Sequence, residues 1–136
     1  MAHTLTILTL QLAQAIGLYW LAAGIGLLAV PARMAALIDD FERSPALAMV
    51  AGLGAFAIGV AVLIPHHLLY DPLSVIVTLL ALVFAIEGLV LIACPQLLLA
   101  LARRFVVQAR LWAIVSIVLG AAMLLAGLTG RADALA

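Results

Sequence analysis

The chain has 136 residues, of which 69% are hydrophobic and 9% are charged, and its formal net charge is zero. So little polar surface excludes a water-soluble globule, and the balanced charge excludes a basic surface for nucleic acid. The one cysteine, Cys94, excludes an intrachain disulfide and a multi-cysteine metal site. The composition therefore predicts a protein whose first partner is the lipid bilayer.

Four apolar segments are each long enough to cross a bilayer, which takes about 20 residues in a helix. They cover residues 5–30, 46–64, 73–94 and 111–128. The first ten residues contain no Lys or Arg, which a cleavable signal peptide would need, so we expect the first segment to be retained. The chain is predicted to form a single all-α, polytopic membrane domain over residues 1–136.

Two stretches of the sequence repeat one another. Residues 24–31 read GIGLLAVP and residues 88–95 read GLVLIACP, so that Gly, Leu, Ala and Pro recur at the same offsets. Carrying the offset onward pairs Phe41 with Phe105. We predict two tandem repeats, over about residues 5–64 and 73–128, each consisting of a membrane span, a short amphipathic interfacial helix and a second span.

The predicted interfacial helices carry apolar residues at helical spacing on one face and charges elsewhere. Their charges differ between the copies, since Asp39 and Asp40 align with Arg103 and Arg104. Two interpretations remain open for these four residues. They form ion pairs, within one chain or between protomers, or they are the solvated faces of two independent helices.

The arginines predict the orientation of the spans. Five of the six lie in the two connections, at residues 31–45 and 95–110. The positive-inside rule then predicts that both connections face the cytoplasm and that the termini and the 65–72 loop lie outside. Both repeats start on the same side, so they are predicted to be parallel and related by an axis along the membrane normal.

Small residues recur on the second and fourth spans. Because lipid gives no hydrophobic drive for pairing helices, such residues favour close backbone approach. The predicted packing positions are Ala51, Ala55, Gly59 and Gly120. The sequence leaves open whether the helix that packs on them belongs to the same chain.

Glu87 is the most suggestive polar residue, because it lies about 10 Å inside the end of its span at 1.5 Å rise per residue. A carboxylate at that depth costs roughly 2 to 3 kcal/mol and is expected to face the bundle interior. Ser116, a possible hydrogen-bond donor to Glu87, falls in nearly the same layer. Three interpretations stay open: a protonated side chain bonded to a neighbouring helix, a salt bridge to an interfacial arginine, and a proton or ion route.

The short loop between the second and third spans carries His66, His67 and Asp71. These residue types are candidates for a metal site or a pH sensor, and the alternative is an ordinary interfacial loop. Three ligands within six residues rarely suffice to hold a metal. We therefore predict no metal at this loop.

No catalytic signature is present: the sequence lacks a Ser/His/Asp set, a phosphate-binding glycine loop and an HExxH motif. We predict that the protein is not an enzyme and has no cofactor. The first functional hypothesis is an accessory or scaffold protein that associates with itself, as a homo-oligomer, or with another membrane protein. The second is an oligomeric channel or transporter with Glu87 in its membrane layer, and the third is lipid or quinone binding between helices.

The stretch ALVFAIEGLVLIACPQLLLALARR, residues 81–104, resembles the YjeT-type small two-helix inner-membrane proteins of bacteria, through Glu87, Gly88, Leu89 and Pro95. The whole chain resembles a group of uncharacterised bacterial four-helix inner-membrane proteins, through IDDF at 38–41, SPAL at 44–47 and His66. The resemblance implies a multi-pass protein of the bacterial inner membrane and implies no activity.

Overall fold

A computed structural model of the protein describes residues 2–66 and 71–130, with side chains from Ile7 onward in the first helix. The described residues form six helices and no strand. The helices are α1 (Ala2–Ala29), α2 (Ala32–Arg43), α3 (Pro45–Leu63), α4 (Pro72–Ala93), α5 (Pro95–Val106) and α6 (Ala109–Thr129). Four of them, α1, α3, α4 and α6, are long and apolar enough to span a membrane. The predicted all-α fold is confirmed, and the four long apolar helices fit a multi-pass membrane protein.

Prolines and short capping side chains set the helix boundaries. Ser44 ends α2 and starts α3, where its Oγ accepts a hydrogen bond of 3.2 Å from the Leu47 N–H. Asp71 and Ser74 form a capping box at the start of α4, with the Ser74 N–H donating to Asp71 Oδ1 at 2.8 Å. Each cap precedes or includes a proline, which suits the first turn because it needs no N–H there.

The spans associate as two close pairs. Helix α1 packs chiefly on α6 and α3 chiefly on α4, whereas α1 touches α4 only along a short stretch. A Cβ atom added at Gly59 would lie 2.5 Å from the Ala85 nitrogen, and one added at Gly120 would lie 2.8 Å from the Gly17 carbonyl oxygen. Backbones therefore touch at both crossings, as small residues permit in lipid.

The two ends of the bundle are closed differently. At one end, called here the connection end, α2 packs against α5. At the other, called the loop end because the segment from α3 to α4 lies there, a buried apolar cluster joins the helices. This loop-end cluster consists of Ala13, Leu73, Val77, Met123 and Ala126. The Gln14 side-chain amide adds a 2.9 Å hydrogen bond to the Gly127 carbonyl.

Candidate functional site

A cleft of about 860 Å³ lies where the two helix pairs diverge. Its walls come from α1, α3 and α4, and the interfacial helices α2 and α5 cover it at the connection end. The α3 wall consists of the small residues Ala51, Gly54 and Ala55 together with Ile58. Small side chains on this wall leave the space open.

A second cavity of about 350 Å³ extends the cleft toward the loop end. The two cavities share the side chains of Tyr19, Trp20, Ile58 and Phe84, so they lie next to each other, and together they are called the groove. Leu12 and Val62 line the far part of the extension and also pack against the loop-end cluster. The groove therefore ends at that cluster.

Glu87 lines the cleft and is the one carboxylate among its lining residues. It is exposed in the isolated chain, and its side chain makes no hydrogen bond or ion pair within residues 2–66 and 71–130. Its neighbour Gly88 instead faces α3, where an added Cβ would lie 2.5 Å from the Gly52 carbonyl oxygen. The close crossing thus fixes the turn of α4 that presents the carboxylate to the cleft.

Ser116 does not serve Glu87. Its hydroxyl donates a 2.8 Å hydrogen bond to the Trp20 carbonyl and thereby joins α6 to α1. A lone serine hydroxyl in an apolar helix needs an acceptor, and the nearest backbone carbonyl of the paired helix supplies it. The sequence placed both residues in one layer but could not indicate which helix would face Ser116.

The connection end carries a three-residue ion-pair network between α2 and α5. The Arg103 guanidinium contacts Asp39 Oδ1 at 2.6 Å and both Glu42 carboxylate oxygens at 2.8 and 2.6 Å. The hydrogen bond from Arg103 lowers the pKa of the Glu42 carboxyl, and the same bond raises the pKa of Arg103. The network lies at the surface, with its side chains 43% exposed, so it ties the two interfacial helices together under solvent screening.

This network differs in part from the predicted charge pairs. Asp39 and Arg103 meet within one chain, whereas Asp40 and Arg104 make no ion pair with any described residue. Glu42 was not among the predicted residues. It follows Asp39 by three positions, which places both carboxylates on one face of a helix, and this spacing was the available signal.

His66 lies in the loop yet is completely buried. Its Nε2 is 2.7 Å from the Thr9 hydroxyl of α1 and its Nδ1 is 3.1 Å from the Thr78 hydroxyl of α4. The ring therefore ties two spans together at the loop end. Asp71 caps α4, and His67 lies outside the described residues. Among the residues the structure describes, no group of three His, Cys, Asp or Glu side chains is placed to hold a metal.

The predicted packing positions divide between two environments. Gly59 and Gly120 lie at the crossings of α3 with α4 and of α6 with α1, so their partner helices belong to the same chain. Ala51 and Ala55 line the cleft instead. Periodic spacing of small residues identified the helix but not which of its faces would be closed.

Comparison with protein-family models, with curated proteins and with solved structures finds no match to this chain. The chemistry of the groove therefore provides the basis for a functional interpretation. That chemistry is one carboxylate among apolar and aromatic side chains, within helices suited to a membrane.

Proposed function

We propose that the protein is a non-enzymatic, multi-pass protein of the bacterial inner membrane that binds a membrane-dissolved small molecule in its groove. The observation that carries the proposal is the cleft of about 860 Å³, whose mainly apolar wall includes a carboxylate that no described residue pairs with. Ligand pockets typically measure about 300 to 1,000 Å³ and combine apolar walls with a few polar groups. Lipid or quinone binding between helices, the third hypothesis from the sequence, belongs to this class.

Four of the eight positions predicted for a scaffold role have their partners within the chain. Gly59 and Gly120 are covered within the chain, and Asp39 and Arg103 bind each other. One surface still favours association with a second copy or another membrane protein. Gly54 has no atom within 4 Å of an added Cβ, so a partner helix can approach α3 closely there. Association through this face is the second candidate function.

A conduction path through one chain finds little support in the geometry. The groove meets α2 and α5 at the connection end and the loop-end cluster at the other. Both barriers are packed apolar side chains, and Glu87 is the one charged residue lining the cleft. A polar route would need partners from other protomers. The groove is therefore better suited to holding a molecule that enters sideways from the bilayer.

We further propose that the chain is a parallel tandem duplication, and the packing supports this. At the α1–α6 crossing, Gly24 faces the Ala113 carbonyl; at the α4–α3 crossing, Gly88 faces the Gly52 carbonyl. Each of the two pairs joins the first span of one repeat to the last span of the other. His66 contacts residues near the start of both α1 and α4, as two spans running in the same direction would allow.

The crossings also refine the alignment of the copies. Gly24 and Gly88 are 64 positions apart, whereas Ala113 and Gly52 are 61 apart. The buried positions repeat at the same two offsets, 64 residues between α1 and α4 and 61 residues between α3 and α6. Residues Thr9, Ala13, Gly17 and Gly24 of α1 match Leu73, Val77, Ala81 and Gly88 of α4, while Ala48, Gly52 and Gly59 of α3 match Ala109, Ala113 and Gly120 of α6. We infer that the second copy is three residues shorter before its last span.

The arginine distribution supports a cytoplasmic connection end, and this orientation is part of the proposal. The molecule would then enter the groove in the half of the membrane nearer the cytoplasm, where Glu87 lies. The resemblance of residues 81–104 to YjeT-type proteins supports the same location without adding an activity.

Native mass spectrometry in mild detergent tests ligand binding. We expect the purified protein to carry a bound molecule of discrete mass below about 1,000 Da, the size range that such pockets enclose. Gly54→Trp places an indole in the cleft at a position with open space and should remove the adduct. Leu53→Trp is the matched control, because Leu53 is 60% exposed and does not line the cleft.

Two results would contradict the proposal. One is a protein without adducts under conditions that preserve the fold. The other is the same set of adducts in the native protein and in Gly54→Trp, which would show nonspecific lipid. A defined dimer that Gly54→Trp disrupts would favour the second candidate function instead.

A further inference from the structure

The side chains around Glu87 restrict the chemistry of a ligand. Glu87 projects from α4 in line with Phe84, three residues earlier, and both line the cleft. Tyr19 and Trp20 of α1 also line it, and Phe41 and Phe105 contribute from the interfacial helices. Five aromatic rings thus surround a cavity that contains one carboxylate.

None of the residues that line the cleft is Arg, Lys or His. Arg103 is bound to two carboxylates of α2 and does not line the cleft. A negative ligand would therefore meet Glu87 with no compensating charge. A neutral ligand would leave the carboxylate without an ionic partner in an apolar site, so Glu87 would have to bind a proton there.

We propose that the ligand of the groove is a lipophilic organic cation, a molecule with one positive charge carried on a large apolar or aromatic body. This inference rests on the proposed function, that the groove binds a small molecule. The charge lies against Glu87, and the aromatic rings attract cations through their faces. The apolar body fills the extension between α1, α3 and α4, which contains no charged residue.

The small α3 wall makes room for the charged group at the depth of Glu87. The Gly52 carbonyl lies against Gly88, so the turn of α3 that faces Glu87 is the one containing Ala51, Gly54 and Ala55. A polar partner on this wall would satisfy Glu87 within the chain, and the sequence supplies none there. A bound cation would supply the ionic partner that this wall does not.

Equilibrium dialysis in detergent with tetraphenylphosphonium tests the inference. We expect saturable binding to the native protein, and binding weaker by about tenfold or more in Glu87→Gln, since the variant loses a charge-assisted interaction. Ile86→Gln is the control, because Ile86 is 52% exposed and does not line the cleft. Tetraphenylborate, with the same shape and the opposite charge, is expected not to bind. Helical content by circular dichroism checks that each variant is folded.

A neutral probe separates this inference from the proposed function. N-phenyl-1-naphthylamine is measured in the native protein, Glu87→Gln and Gly54→Trp. If it binds and Gly54→Trp abolishes its binding, while tetraphenylphosphonium fails to bind or binds equally to Glu87→Gln, then the cation inference is overturned and the proposed function survives. If neither probe binds, and no adduct appears in native mass spectrometry, both are overturned.

Discussion

Gly88 and Glu87 are neighbours on α4, yet they face two regions with opposite packing. At Gly88 the backbones of α3 and α4 touch, and an added methyl group would collide with the Gly52 carbonyl. At Glu87, α4 instead borders the cleft of about 860 Å³ that it lines together with α1 and α3, and Gly54 of α3 has no atom within 4 Å of an added Cβ. Gly52 therefore permits close packing of α3 on α4, whereas Gly54 leaves space open in the cleft.

The contrast shows that this apolar chain uses different helix faces for close packing and for the proposed ligand site. Without a hydrophobic drive in lipid, the fold depends on close backbone contact at the crossings and on a few hydrogen bonds. Close packing occupies the side of α3 that faces α4 and the side of α1 that faces α6. The remaining sides of α1, α3 and α4 are free to form a groove, where a carboxylate does not compete with packing.

Introducing the same side chain on both sides of α3 tests the difference between its two faces. Gly59→Leu should destabilise the protein by about 3 kcal/mol or more, because the new side chain meets backbone atoms of Ala81 and Ala85. Gly54→Leu, with open space around it, should leave stability nearly unchanged. Thermal denaturation followed by circular dichroism measures the difference. Equal destabilisation would contradict the assignment of the two faces.

Removing the buried histidine tests cohesion at the loop end. His66→Leu removes the two hydrogen bonds that join the ring to the Thr9 and Thr78 hydroxyls, at about 0.5 to 1.5 kcal/mol for each bond lost. We expect a lower melting temperature in detergent. A His66→Leu protein as stable as the native one would mean that the ring does not tie α1 to α4.

Replacing Glu87 should have the opposite effect on stability from replacing His66. Glu87→Leu removes a carboxylate from an apolar wall, so the empty protein should gain stability of up to about 3 kcal/mol. The same variant should lose tetraphenylphosphonium binding. Comparing melting temperatures with and without the cation measures both effects. A loss of stability in Glu87→Leu would mean that the Glu87 side chain helps to hold the helices together. That result would contradict its assignment to the ligand site.

The smallest effect is expected at the surface, from the network of Asp39, Glu42 and Arg103. Because the pKa of Glu42 is lowered below 4.5 in the folded protein, its stabilising effect is present above pH 4.5 and is lost as the pH falls through the lowered value. The stability difference between native protein and Glu42→Gln should therefore shrink toward pH 3 and in high salt. A difference that persists unchanged in acid would assign the effect of the variant to packing.

Sequence patterns predicted the four long apolar helices and the short amphipathic helices between them, because these depend on local composition and on proline geometry. They did not predict which spans pair. Gly and Ala recur on several faces of α3, and only the position of the neighbouring helix decides that Gly59 is covered and Ala55 is not. His66 was expected at an interface for a similar reason, since its hydrogen-bond partners lie far away in the sequence.

The most direct test of the groove as a ligand site places a photo-crosslinking benzoylphenylalanine at Ile58, which lines both of its volumes, in native membranes. Leu53 on the same helix is the lipid-facing control. We predict that irradiation attaches a molecule of discrete mass below about 1,000 Da at position 58 that is absent at position 53. Attachment of a protein at position 58, or the same lipid at both positions, would contradict the account.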